Sequence, residues 1–250
     1  MILNRSLRNV TLLSMCQAFG QTQMVLIFSV SSIIGATIAP NVAWATVPIT
    51  FQFVAMTMST VPAALLMKRI GRASGFIVFL LIGSAGAGLM IYALVAQSFI
   101  MFCCGSALFG SSAGANQQFR FAAVDAADEG FKTRAVSLVL AGGVFAGLAG
   151  PSLSSMGYDI IQPILYGGVF VVILIMQALM VLLLLSTDIP QPTKQERSGP
   201  VRPMREIASQ PTFIVALMSA MIGYGVMNFV MLSTPIFMHL HPTHPYGQLD

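Results

Sequence analysis

The side chains with most to offer a ligand in this sequence are amides. Ser14, Gln17 and Gln21 recur at i, i+3 and i+7, a spacing that puts them on one face of a helix. Asn116 and Gln117, followed by Gln118, stand together later in the chain, and Asn228 lies near its end. A primary amide donates and accepts hydrogen bonds. Such a set can hold a solute but supplies no proton and no nucleophile. The same side chains in an apolar setting can instead bond helix to helix, worth about 0.6 kcal/mol on average. Both roles stay open for Gln17, Gln21, Asn116, Gln117 and Asn228.

Other chemistry is thinly represented. Cys16, Cys103 and Cys104 lie in apolar runs without disulfide-framework or metal-ligand spacing. His239, His241 and His244 form "HLHPTHP", and three histidines this close can bind a metal, but the prolines interrupt any shared helical face. A solvated loop is the expectation there. No nucleophile with a partnered base, no phosphate-cradling glycine loop and no nucleic-acid patch stands out. An enzyme, a cofactor, a metal centre and a nucleic-acid partner are therefore not expected.

The elements that must position the amides follow from composition. The chain has 250 residues, of which 56% are hydrophobic and 8% are charged. A soluble domain carries roughly 25% charged residues, so this one lacks the polar surface a water-soluble fold needs. An all-α, polytopic membrane helix bundle with the lipid bilayer as its surroundings is expected. A spanning helix needs about 20 apolar residues, because a rise of about 1.5 Å per residue must cover about 30 Å of hydrocarbon. Seven segments qualify, at 11–38, 47–67, 76–95, 99–121, 135–153, 164–185 and 212–238. The runs are continuous rather than alternating, which argues against a barrel. The first apolar run is far longer than the roughly 7–15 residues of a signal-peptide core.

Charge orients the bundle. All twelve Lys and Arg residues fall before segment 1, between segments 2 and 3, around the end of segment 4, and between segments 6 and 7. The opposite connections hold none. Six of the eight acids share the basic side, giving it a net +6 against −2 opposite. The positive-inside rule then makes the basic side and the N-terminus cytoplasmic, in a plasma (inner) membrane. Trp44 falls at the outer boundary, where an interfacial anchor is expected.

The stretch "TDIPQPTKQERSGPVRPMREIASQP", residues 187–211, contains five prolines and no apolar period, and reads as a cytoplasmic linker. Residues 1–186 are then a six-helix bundle, and residues 212–250 begin something new. The new part looks like a restart: "LMSAMIGYGVMNFVM" aligns without gaps on "LLSMCQAFGQTQMVL", setting Gly225 on Gly20 and Asn228 on Gln23. Internal repeats of this kind are a hallmark of secondary transporters.

Two local patterns give the resemblance a name. "ALLMKRIGRA", residues 64–73, is similar to the G-x-L-a-D-R-x-G-R-[KR] loop of the major facilitator superfamily through Leu66, Arg69, Gly71 and Arg72. The pattern's Gly, Asp and final base are Ala64, Lys68 and Ala73, so the acid that helps latch the two halves of such proteins is absent. "GGVFAGLAGPSLSS", residues 142–155, resembles the G-x-x-x-G-P-x-x-G-G helix-5 pattern of antiporter members; Gly147, Gly150 and Pro151 fit its spacing loosely, and Ser154 and Ser155 stand for its last glycines. Gly143 and Gly147 form a small-xxx-small face on which a partner helix can pack, and Pro151 can kink the helix.

The resemblance implies twelve helices in two six-helix halves, with segments 1, 4 and 7 lining a central cavity. It implies alternating access for a small-molecule solute, in the export direction, driven by a proton or sodium gradient. It also implies that the chain holds the first half plus one helix of an incomplete second, the rest missing or replaced by an assembly partner. Nutrient symport and a non-transporting membrane interaction protein are the alternatives. Segments 1 to 6 hold no carboxylate near their centres, so no proton carrier can be named. Lys68, Arg69, Gly71 and Arg72 form either a plain topology signal or a cytoplasmic gate in which the arginines pair with Asp125, Asp128 or Glu129. Gly71 permits a tight turn at positive φ.

Overall fold

The computed structural model describes residues 2–157, 166–189 and 204–240. These residues form helices and no strand. The helices are α1 (Ile2–Ile38), α2 (Val47–Ile70), α3 (Arg72–Val95), α4 (Phe99–Asn116), α5 (Phe119–Ala126), α6 (Lys132–Gly157), α7 (Gly167–Leu185), α8 (Met204–Ala208) and α9 (Pro211–Leu240). Among the described residues, six stretches are long and apolar enough to cross a membrane: those of α1, α2, α3, α4 with α5, α7 and α9. At 26 residues, α6 is about 39 Å long, more than the roughly 30 Å of hydrocarbon a spanning helix must cover.

Two expected boundaries move. The fourth segment does not run unbroken over 99–121. It ends at Asn116, turns at Gln117 and Gln118, and resumes as α5. The turn is held by the Gln118 side chain, whose Nε2 donates to the Thr60 carbonyl on α2 at 3.1 Å. Within the expected linker, 204–208 is a short helix, while 190–203 lies outside the described residues.

The chain divides into two compact units, Met1–Arg197 and Ser198–Asp250. In the first, α2 packs along α4, α1 along α6, and α3 against both α4 and α7. Helices in lipid gain little from hydrophobicity and associate through close van der Waals contact, which small residues permit. The glycines of α4 show this directly. A Cβ on Gly110 would collide with the Gln52 carbonyl of α2, and one on Gly114 with the Met56 carbonyl. On the α3 side, a Cβ on Gly105 would stand 2.8 Å from the Gly86 oxygen. The Ser59 hydroxyl, also on α2, donates to the Ser111 carbonyl of α4 at 3.1 Å.

The stripe expected to provide such contacts, on α6, does so differently. Gly142 meets α1, where an added Cβ would stand 2.5 Å from the Ser14 oxygen. Gly143 is at an ordinary 3.5 Å from the Gln21 side chain, and no described atom lies within 4 Å of a Cβ on Gly147. Gly150 and Pro151 fall within the helical span of α6, but their surroundings lie outside the described residues.

Apolar packing forms two clusters. One, near the basic end, gathers Val10, Leu13, Met67, Phe76, Phe119 and Leu184, with the Phe76 and Phe119 rings stacked 4.3 Å apart. The other gathers Ile27, Met90, Phe102, Phe109, Phe170 and Ile173 toward the opposite end. On α2, Phe51, Val54, Met58, Val61 and Leu65 are exposed at spacings of three and four, a single apolar stripe suited to lipid or another helix.

The glycine contacts generate a prediction. Gly110→Leu is expected to destabilise the purified protein in detergent by roughly 1–3 kcal/mol, seen as a drop in thermal midpoint. Gly88→Leu, where an added Cβ meets nothing within 4 Å, is expected to leave the midpoint unchanged.

Candidate functional site

Between the two apolar clusters lies a layer of polar side chains. Its accessible part is a small, open hollow lined by Gln17, Gly20, Gln21 and Met24 of α1 and by Ala113, Asn116 and Gln117 at the end of α4. Four of the five amides singled out in the sequence thus converge on one space. Gln17 and Asn116 are nine-tenths buried, 8% and 9% exposed, while Gln21 and Gln117 are partly exposed. Helical geometry explains the α1 contribution, since Gln17, Gly20, Gln21 and Met24 are spaced three and four apart along one face. The break after Asn116 explains the α4 contribution, because it turns two successive amides toward α1.

The Asn116 Oδ1 atom is shut from solvent and has no hydrogen-bond partner among the described residues. Gly20 leaves room for this side chain: a Cβ there would stand 3.5 Å from Asn116 Nδ2. Met24 is fixed from behind by Gln52, whose Nε2 donates to its sulfur at 3.3 Å. The lining carries no ionisable side chain. The fifth amide, Asn228, belongs to the second unit and donates to the Tyr224 carbonyl of its own helix at 2.9 Å.

A second set of polar groups escaped the sequence analysis. Gln23 of α1 and Gln177 of α7 are both fully buried. The Ser84 hydroxyl donates to Gln177 Oε1 at 2.6 Å, Gln177 Nε2 points at Gln23 Oε1 at 3.4 Å, and Gln23 Nε2 reaches the Met180 sulfur at 3.4 Å. These bonds join α1, α3 and α7. The available signal was the lone amide Gln177 within a long apolar run, which in a membrane segment calls for a partner; Gln23 follows Gln17 and Gln21 in its segment and does not stand out there.

At the basic end, Gly71 is the single residue between α2 and α3. It takes φ 95° and donates its N–H to the Met67 carbonyl at 3.0 Å. The expected positive φ is therefore present. Of the candidate arginine pairings, one forms: Arg72 Nε donates to Asp125 Oδ2 of α5 at 2.5 Å. Lys68 and Arg69 make no ion pair with a described residue. Asp128 instead accepts from the Ser6 hydroxyl at 2.9 Å, and Glu129 pairs with Lys132. Asn9 exchanges two hydrogen bonds with the backbone of Asp188, whose carboxylate pairs with Arg5. The start of α1 is thereby tied to the turns that follow α5 and α7. His239 lies within α9, and His241 and His244 lie outside the described residues.

A family model described as Major Facilitator Superfamily matches residues 10–244. The riboflavin transporter RfnT of Brucella anthropi is 31% identical over 236 residues, 94% of this chain and 59% of that protein. The uncharacterized MFS-type transporter YdeG of Bacillus subtilis is 27% identical over 153 residues, 61% of this chain and 35% of that protein. The chain thus spans about three-fifths of the first relative and about a third of the second. No solved structure matches.

The Arg72–Asp125 pair is partly exposed, so its stabilisation is small, under about 1 kcal/mol. Arg72→Asp is expected to lower the thermal midpoint slightly. The charge swap, with Asp125→Arg added, is expected to restore it, with the difference shrinking in high salt.

Proposed function

The chain belongs to the Major Facilitator Superfamily, and from that premise we propose that it moves a small, uncharged organic solute across the membrane by alternating access. The family is one of transporters, not enzymes. The observation that carries the reading is the convergence of Gln17, Gln21, Asn116 and Gln117 on one hollow between α1 and α4. A transported solute must be held by hydrogen bonds that are easily exchanged, and amides at the border of a membrane cavity meet that need.

The likeness to the Brucella riboflavin transporter makes riboflavin the first solute to test. It is uncharged, ring-bearing and rich in hydrogen-bonding groups, which suits a lining of four amides, a thioether and no charge. Export is the proposed direction, supported by the antiporter-like spacing of Gly147, Gly150 and Pro151. A proton or sodium gradient is the proposed driving force, and the basic end the proposed cytoplasmic face. Arg72, Asp125 and Gly71 are proposed to hold the gate loop at that face.

Two measurements test this. Cells loaded with riboflavin and expressing the protein are expected to release it faster than control cells, with Gln17→Leu and Asn116→Leu each slowing release by about tenfold. Equal release with and without the protein, in cells where it reaches the membrane, overturns the reading; faster uptake instead reverses the direction. Reporters fused after Trp44 and near Lys194 are expected to occupy opposite compartments, and a shared compartment overturns the orientation.

A further inference from the structure

We infer that the hollow selects solutes presenting an N–H donor beside a carbonyl, the edge of a lactam or imide, and that Asn116 is the residue that reads this donor. The inference rests on the transport reading above and names the chemistry of its solute.

Three observations lead to it. The first is the unpartnered Asn116 Oδ1, a buried acceptor on a residue that lines the hollow. A buried acceptor without a donor costs on the order of 1–3 kcal/mol. The free protein carries that cost, and a ligand N–H that draws the amide round relieves it. Asparagine suits the movement, because the torsion next to its amide is broad and soft.

The second is the surroundings of that acceptor. Gln17, Gln21 and Gln117 border the same space, and their side chains hydrogen-bond to no other described residue. Each offers an N–H and a C=O together, the complement of a lactam edge. An ionised solute would meet no opposite charge in the lining, and its desolvation would go uncompensated.

The third is the apolar remainder. The Met24 thioether, with Gly20 and Ala113, borders the same space, and sulfur makes favourable contact with aromatic rings. The bond from Gln52 holds the Met24 sulfur where the ring would meet it.

The experiment compares riboflavin, whose ring carries one imide N–H between two carbonyls, with its N3-methyl derivative. Binding to the purified protein in detergent is measured by equilibrium dialysis, with Asn116→Leu in parallel. The unaltered protein is expected to bind the methylated ring about tenfold or more weakly than riboflavin. Asn116→Leu is expected to bind the two within about twofold of each other. Equal binding of both by the unaltered protein overturns the inference while leaving the transport reading in place. Discrimination that survives in Asn116→Leu removes Asn116 as the reader. Failure of both rings to bind the unaltered protein overturns the transport reading and this inference together. Should Asn116→Leu fail to fold, the two ligands on the unaltered protein still decide whether the N–H is read.

Discussion

The contact on which the rest of the bundle depends is the approach of α4 to the backbone of α2. At Gly110 and Gly114 there is no space for any side chain between the helices, because the Gln52 and Met56 carbonyls occupy it. Lipid tails are as apolar as leucine, so close contact, with help from interhelical hydrogen bonds, is what holds two helices together in a bilayer. Dispersion falls away steeply with distance, and a gap of even 1 Å forfeits much of it. With Gly86 and Gly105 drawing α3 near from another side, α4 is held between two neighbours. That grip sets where its C-terminal turn ends, and so where Asn116 and Gln117 stand opposite Gln17 and Gln21.

The polar layer that results has two parts of different character. Gln23 and Gln177 are enclosed and use their hydrogen-bonding capacity on one another, on the half-buried Ser84 and on Met180. The three residues join three helices, and the two glutamines have no water to turn to. The amides around the hollow are bordered by space and remain unspent, with one acceptor left without a donor. The two groups occur close together on α1, where Gln21 and Gln23 are two residues apart and therefore point to different sides of the helix.

Much of this was legible in the sequence, for physical reasons that can be named. The membrane helices were readable because 30 Å of hydrocarbon demands long apolar runs. The meeting of Gln17 with Gln21 was readable because helical spacing alone puts them on one face. Gly71 was readable as a turn, and Arg72 and Asp125 as possible partners, because few charges were available to pair. The break after Asn116 was not readable, since it depends on a side-chain bond from Gln118 to a helix distant in sequence. Nor was the choice among glycines. Gly110, Gly114 and Gly142 meet neighbouring backbone while Gly147 meets no described atom, and composition cannot distinguish them. Gln23 and Gln177 find each other across 154 positions, beyond the reach of any local pattern.

The Gly71 connection has a mechanical corollary. A link of one residue between two helices of 24 residues each has no slack. Any tilt of one helix must be delivered to the base of the other within a few ångströms, as through a stiff elbow. With Arg72 bonded to α5, that elbow is also fastened to the segment leading into α6. A push at the basic end would therefore travel through the first unit as displacement of a whole, and would not be absorbed by a yielding loop.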